Sequence, residues 1–332
     1  MHINFNLPKK ILAWYDNNKR SLPWRVGKYS QKKLYYRLLS EFMLQQTQVK
    51  TVIPYFKRFT EKFPTIESLS KCKETRILKL WEGLGYYRRA KNLLATARIL
   101  VKKKKSKLPR SLDEIKKLPG VGDYTANALL GLVHNQPTIA IDGNVKRVFS
   151  RILNKNDTKI NFEKFILINK KNLFNTKRNS DFVEALMEFG ALICKAKNPK
   201  CSICNLNNYC KFFNSSNKIK NHNNKVIENK YYDVFCYINK NKQIALSKKN
   251  NLGFLNKFSL PEIKETKKNI KKNWKFLNKY KNSISNKKLN INLYYKFSKK
   301  IPLSFTWHSI DKNKEFIPTF TKKIFEQVSI LF

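Results

Sequence analysis

The sequence predicts an α+β multidomain protein, with a large all-helical domain first and a smaller mixed α/β domain after it. Three observations predict this. Apolar residues recur at helical spacing through the first two thirds of the chain, strand-like segments appear beyond residue 230, and a stretch rich in Asn, Lys and Ser separates the two. At 332 residues the chain is long enough for two such domains with real cores. The boundaries read as 1–213 for the helical domain, 214–230 for a linker and 231–332 for the second domain.

Residues 8–17 can form the first helix, with Ile11, Leu12, Trp14 and Tyr15 on one side, and Ser21-Leu22-Pro23-Trp24-Arg25 breaks it. Ser30 is placed to cap a second helix, where Leu34, Tyr35, Leu38, Leu39, Phe42 and Met43 repeat at helical spacing. Glu41 sits beside that stripe, and Gln45-Gln46-Thr47-Gln48 puts polar residues where core residues are expected. Helical patterns cover 49–59, 74–81 and 88–101, and Gly83-Leu84-Gly85-Tyr86-Tyr87 reads as a turn exposing two tyrosines. Lys102 to Lys105 reads as a solvated loop. A strong helix is expected over 182–194, with Phe182, Val183, Leu186, Phe189 and Ile193 on one face. Past the linker, 234–238 and 244–246 look like strands, and 291–297 and 301–307 are further candidates.

The charge is extreme. There are 69 Lys and Arg against 22 Asp and Glu, a formal net charge of +47. A field of that sign attracts polyanions, so nucleic acid is the first partner to consider. AT-rich coding explains part of the magnitude, since Lys, Asn and Ile abound while Gly is scarce. A membrane partner is disfavoured, because no apolar run approaches the length of a span and no single basic amphipathic helix stands out. The first residues lack the apolar segment of a secretory signal, so a soluble cytoplasmic protein is expected.

Two clusters carry chemistry. Cys194, Cys201, Cys204 and Cys210 have the spacing C-x6-C-x2-C-x5-C, close enough to wrap one tetrahedral or cubane centre. In a chain without disulfide context such a quartet points to metal. Zinc sites usually show two close pairs, and in this quartet one pair, Cys201 and Cys204, is close. The spacing, together with the family resemblance given below, favours a [4Fe–4S] cluster, with zinc as the alternative. Cys72 and Cys236 are isolated and read as core residues. The second cluster begins with Leu118-Pro119-Gly120-Val121-Gly122, which has the form of a helix–hairpin–helix turn. Gly120 and Gly122 let the backbone turn tightly and approach a phosphate beside a helix N-terminus. A plain helical hairpin is the alternative, and an Asp before a helix, as at Asp142, is commonly an N-cap.

Taken together, these residues resemble the endonuclease III superfamily of DNA glycosylases, and within it the MutY-type adenine glycosylases. The resemblance covers residues 8–213 densely. It rests on Leu22-Pro23-Trp24-Arg25, the run from Ser40 to Val49, Gly83-Leu84-Gly85-Tyr86-Tyr87, the hairpin, Asp142-Gly143-Asn144-Val145-Lys146-Arg147 and the cysteines. It implies an all-α helix-hairpin-helix glycosylase domain with a [4Fe–4S] loop at 194–210. It also implies removal of adenine mispaired with 8-oxoguanine or guanine in double-stranded DNA, by a monomer. Two carboxyl groups are needed, one to protonate the departing base and one to face the sugar cation. By resemblance Glu41 is the acid, delivering a proton to adenine N7, and Asp142 faces the sugar. Tyr124 and Asn144 position them and the water, and Arg25 helps hold the extruded base. Gln46 and Tyr86 fill and wedge the gap that extrusion leaves, while Lys146 and Arg147 reach phosphates or are solvated.

Members that also cut the strand carry a lysine two residues after the hairpin glycine, and this chain has Tyr124 there. Monofunctional hydrolysis is therefore expected. An endonuclease III-like enzyme for oxidised pyrimidines and a non-catalytic DNA-binding iron–sulfur protein are the rivals. In the second domain, Leu252-Gly253-Phe254-Leu255 with Phe258, Leu260 and Pro261 resembles the Nudix-like domain that recognises 8-oxoguanine. The acidic metal-binding box is replaced by basic sequence after Pro261, so binding rather than hydrolysis is expected. The family's Phe-Ser-His loop corresponds to Phe305-Thr306-Trp307, with His308 next. A domain reduced to a DNA clamp is the alternative.

Overall fold

The computed structural model describes residues 2–27, 30, 32–216, 228–249, 258–266, 273–284, 287–310 and 317–332. The Leu252-Gly253-Phe254-Leu255 motif and residues 267–272 of the basic stretch lie outside the described residues. The chain divides into two compact units, Met1–Ile77 with Tyr86–His222, and Leu78–Gly85 with Asn223–Phe332. Its helices are α1 (Leu7–Asn18), α2 (Lys33–Leu44), α3 (Val49–Lys62), α4 (Ile66–Ser70), α5 (Glu74–Leu80), α6 (Arg88–Lys104) and α7 (Leu112–Lys116). They continue as α8 (Asp123–His134), α9 (Gly143–Leu153), α10 (Phe162–Ile168), α11 (Lys170–Leu173), α12 (Asn179–Leu192) and α13 (Lys211–Asn214).

Local chemistry sets most of these boundaries. α1 starts where the Asn6 side chain accepts from the Lys9 N–H at 3.0 Å, with Pro8 in the first turn. The expected Ser30 cap does not form. Its hydroxyl accepts from the Lys32 N–H at 3.3 Å, and α2 begins at Lys33 with no side-chain cap, because Ser30 stands too far upstream of the first helical N–H groups. The run Lys102 to Lys105 is not a loop either. Lys102, Lys103 and Lys104 form the last turn of α6, where buried Leu100 holds the helix and cations suit its C-terminal carbonyls.

Packing of the first unit centres on α12. Its apolar face, with Phe182, Ala185, Leu186 and Phe189, joins Leu7, Ile11 and Trp14 of α1 and Val145, Val148 and Phe149 of α9 in one buried cluster. Two glycines let neighbouring helices approach it closely. A Cβ on Gly131 of α8 would lie 2.6 Å from Val183 Cγ2, and one on Gly190 of α12 would lie 2.7 Å from Asn144 Cβ. The hairpin turn is equally tight. Gly120 has φ +77°, and a Cβ there would meet Asn92 Nδ2 at 2.6 Å.

The second unit is a mixed sheet of β1 (Glu228–Asn239), β2 (Gln243–Leu246), β3 (Glu262–Glu265), β4 (Lys275–Ile284), β5 (Lys287–Phe297) and β6 (Thr306–Ser309). The order is β4-β5-β1-β2-β6, with β3 also on β1, and β1 runs parallel to β5 while the other pairs are antiparallel. Alternate residues Tyr232, Val234, Cys236 and Ile238 of β1 pack with Ile291 and Leu293 of β5 and with Phe320, Ile324 and Val328 of α14 (Thr319–Val328). Two boundaries differ from expectation. β1 begins at Glu228, inside the expected linker, because its partner β5 pairs with it from Lys287 onward. The strand expected over 301–307 shrinks to β6, since Pro302 cannot donate to a ladder and its carbonyl accepts from the Phe305 N–H at 2.9 Å in a turn. Cys72 and Cys236 are buried, as core residues should be. Among the described residues, no helix is long and apolar enough to cross a membrane.

Candidate active site

A cavity of about 580 Å³ opens in the first unit, lined by the 20–25 loop, α2, α8, the residues entering α9, and α12. Glu41, Tyr124, Asp142, Asn144 and Arg25, five residues singled out in the sequence, all line it. A larger cavity of about 760 Å³ beside α10 holds neither Glu41 nor Asp142.

Glu41 is 5% exposed although it lies on an amphipathic helix. Its Oε2 is buried with no hydrogen-bond partner, and the Tyr124 hydroxyl, which donates to Met187 Sδ at 3.2 Å, acts on the same carboxyl. Burial pushes its pKa up to about 7, outweighing the Tyr124 hydrogen bond and the Arg37 charge, while Glu184 and Asp142 add to the rise. A carboxyl in that state can hold a proton near neutrality and give it away. Asp142 is held differently. As the N-cap of α9 its Oδ1 accepts from the Val145 N–H at 2.7 Å, and its Oδ2 accepts from Asn144 Nδ2 at 2.8 Å. Burial raises the Asp142 pKa, and these hydrogen bonds oppose the rise. The cap and the carboxylate expected to face the sugar are thus the same group, which the helix N-terminus helps keep ionised. Asn144 is oriented in turn by Arg147, whose Nη2 donates to Asn144 Oδ1 at 2.8 Å and to Gly190 O at 2.7 Å. Arg147 was expected to reach phosphates or solvent, but it points inward and also donates to Cys194 O at 2.7 Å.

A buried ionic network completes the wall. Glu184 and Glu188 of α12 stand one turn apart, and both line the cavity. Arg25 pairs with Glu188 and lies 3.4 Å from Glu184, and Arg37 pairs with Glu184. The Tyr15 hydroxyl donates to Glu184 Oε2 at 2.6 Å, and Arg20 Nε donates to Glu188 Oε1 at 3.0 Å. Burial works against the Arg25 charge, but Glu184 and Glu188 outweigh it and hold its pKa up. Sequence reading missed Glu184, Glu188 and Arg37. The available signal was charge at i, i+4 inside an apolar helix, which buried pairing alone makes tolerable.

The other expected site residues lie outside this cavity. Gln46 and Tyr86 are exposed and adopt left-handed backbone, φ 57° and 47°, conformations that non-glycine residues rarely hold without cause. Gln45 instead of Gln46 links α2 to the hairpin, donating to Gly120 O at 3.3 Å. Gly122 is the N-cap of α8 and supplies no side chain, so the first-turn N–H groups stay open beside it. Lys146 is exposed and lines the larger cavity. In the second unit, Phe305 stacks edge-on to Tyr237, and the Thr306 hydroxyl lies 2.9 Å from His308 Nε2. Strand alternation puts His308 on the face of Thr306, which Trp307 in the expected alignment could not share.

The four cysteines occupy a run of short turns after α12. Arg151, 3% exposed, sets its Nη1 3.3 Å from Cys194 Sγ and donates to Lys195 O at 2.6 Å, while Cys210 Sγ lies 3.4 Å from Arg151 O. Burial raises the Cys204 thiol to about 11, and Cys194, Cys210 and Cys201 act on it in the same direction. Among the described residues, no three metal-binding side chains draw together on a single ion. Cys194, Cys201, Cys204 and Cys210 supply four thiols in one short segment beside the buried Arg151 guanidinium, the donor chemistry of a thiolate-ligated centre. The donor set fits an iron–sulfur cluster.

Comparison with known proteins agrees with this geometry. Residues 39–169 match the HhH-GPD superfamily of base excision DNA repair proteins, and residues 194–210 match the iron-sulfur binding domain of endonuclease III. The fold is similar to a thermostable thymine-DNA glycosylase, at 25% identity and TM-score 0.53 over 62% of this chain and 94% of that one. An adenine DNA glycosylase of Buchnera aphidicola subsp. Baizongia pistaciae is 38% identical over 300 residues, 85% of this chain and 83% of that protein. The Schizosaccharomyces pombe adenine DNA glycosylase is 37% identical, and the match spans 69% of this chain and 53% of that longer protein. The chain belongs to the adenine DNA glycosylases of this superfamily, whose iron–sulfur domain carries a [4Fe–4S] cluster.

Proposed function

We propose that this protein is a monofunctional adenine DNA glycosylase of base excision repair. It acts as a monomer on double-stranded DNA and removes adenine opposite 8-oxoguanine or guanine. The observation that carries this is one cavity holding a buried carboxyl with a pKa near 7, Glu41, across from a hydrogen-bonded carboxylate, Asp142. The adenine is extruded into the cavity, where Arg25 helps hold it. Glu41 donates its proton to adenine N7 as the C1′–N9 bond breaks, and the Asp142 carboxylate faces the sugar cation. A water positioned by Tyr124 and Asn144 adds hydroxide to C1′, and its remaining proton returns Glu41 to the acid form.

The wall of the cavity has Tyr124 where a lyase needs an amine, so no Schiff base forms and the strand is left uncut. Outside the cavity, Gly120 and Gly122 hold a phosphate, Lys146 reaches another, and Gln46 and Tyr86 fill the gap in the stack. Cys194, Cys201, Cys204 and Cys210 would hold the [4Fe–4S] cluster, whose iron–thiolate bonds cross-link a segment with little core of its own. The sheet unit, starting at β1, serves as a Nudix-like recognition domain, with Phe305 and Thr306 meeting 8-oxoguanine and His308 supporting Thr306.

The test is single-turnover adenine release from duplexes carrying 8-oxoguanine, guanine or thymine opposite the adenine. Release should be fastest opposite 8-oxoguanine, and equal rates on all three would refute the preference. Asp142→Asn should abolish release while duplex binding persists. A borohydride-trapped adduct on an oxidised-pyrimidine duplex would instead favour an endonuclease III-like activity.

A further inference from the structure

Arg37 and Glu184 line the cavity but take no part in the chemistry above. Arg37 precedes Glu41 by one turn of α2, and each is 5 to 7% exposed, as is Glu184. Residues four apart on a helix are neighbours, about 5–6 Å between Cβ atoms. A buried arginine in that position would pair with Glu41 and fix it ionised, leaving no proton to deliver. The fold prevents this from the opposite wall. Arg37 Nη1 donates to Glu184 Oε1 of α12, and Glu184 is itself locked by the Tyr15 hydroxyl on Oε2 at 2.6 Å. Arg37 Nε and Glu41 Oε2 both remain buried without a partner.

We propose that Glu184 is a positioning residue for the acid step: it draws Arg37 away from Glu41 and so preserves the proton that Glu41 gives to the base. This rests on reading Glu41 as the acid. The groups facing Glu41 are Arg37 on its own helix, Tyr124 on α8, Asp142 before α9 and Glu184 on α12. The Arg37 charge pulls the Glu41 pKa down, and the Glu184 charge opposes that pull. Arg20 is held by Glu188, and Arg25 pairs with Glu188 while its Nε also lies 3.4 Å from Glu184 Oε1.

The experiment is a two-residue cycle on the full chain, reading single-turnover adenine release against pH for wild type, Glu184→Gln, Arg37→Met and the double variant. In Glu184→Gln the freed Arg37 should pair with Glu41 and lower the alkaline limb by about one pH unit, a roughly tenfold slower release at pH 8. Adding Arg37→Met should restore the limb and most of the rate. A double variant with the limb and rate of Glu184→Gln would overturn the proposal, because Glu184 would then act by itself. Should the double variant not fold, an unmoved limb in Glu184→Gln overturns it equally, and Glu184→Asp, which keeps the carboxylate, should hold the limb nearer wild type. Glu41→Gln separates the two readings: undiminished release in that variant removes the acid assignment itself, whatever the cycle shows.

Discussion

Gly190→Ala would add one methyl group to α12 at the point where α9 begins. The new Cβ would lie 2.7 Å from Asn144 Cβ, 2.9 Å from Asn144 O and 3.0 Å from Asn144 C, whereas ordinary contact starts at 3.4 Å. Two of those atoms are backbone, so no rotamer change relieves the clash. The start of α9 must retreat by about 0.7 Å, the gap between the closest approach and ordinary contact. Asp142 goes with it, because its carboxylate caps that turn and is bonded to Asn144. Alanine favours a helix interior over glycine by about 1 kcal/mol, and overpacking costs about 1–3 kcal/mol. The net loss of stability is therefore at most about 2 kcal/mol. Displacing a catalytic group by most of an ångström can cost on the order of 100-fold in rate. Single-turnover adenine release should thus fall far more than a denaturant midpoint does. Gly131→Ala is the comparison, since its Cβ meets the side-chain atoms Val183 Cγ2 at 2.6 Å and Thr138 Cγ2 at 3.0 Å. Stability should suffer there while release stays near wild type. A Gly190→Ala enzyme with an undiminished rate, or an equal rate loss in Gly131→Ala, would refute the reasoning.

Glu41 should also cost the fold something. Its folded pKa of about 7 lies above the ordinary 4.5, so its contribution to stability is complete below pH 4.5 and is lost as pH rises through 7. Glu41→Gln should therefore be more stable than wild type at pH 8, by up to about 3 kcal/mol, and equal to it near pH 4; the reverse order in urea melts at the two pH values would contradict the burial argument. Cys204→Ser removes one of four thiolates, and purified protein should lose iron and the visible absorption of thiolate-bound iron, with the 194–210 loop becoming protease-sensitive. Full iron content and unchanged absorption in that variant would remove Cys204 from the ligand set.

Helix periodicity, the hairpin glycines and the cysteine spacing are local properties, and they were legible in the chain. So was the pairing of Glu41 with Asp142, through the motifs around them. Boundaries failed where a distant partner decides them, as at β1, which pairs with β5 nearly sixty residues later in the chain from Glu228 onward. The Lys102 to Lys104 turn failed for the same kind of reason, because buried Leu100 and the close of α6 outweigh the local charge. By itself the sequence determined which chemical groups are present and which one is missing, an amine at Tyr124. Only the tertiary structure decided the state of those groups. Glu41 can hold a proton because helices distant in sequence exclude water from it, and Arg37 makes its hydrogen bond to Glu184, 147 positions away, and not to Glu41.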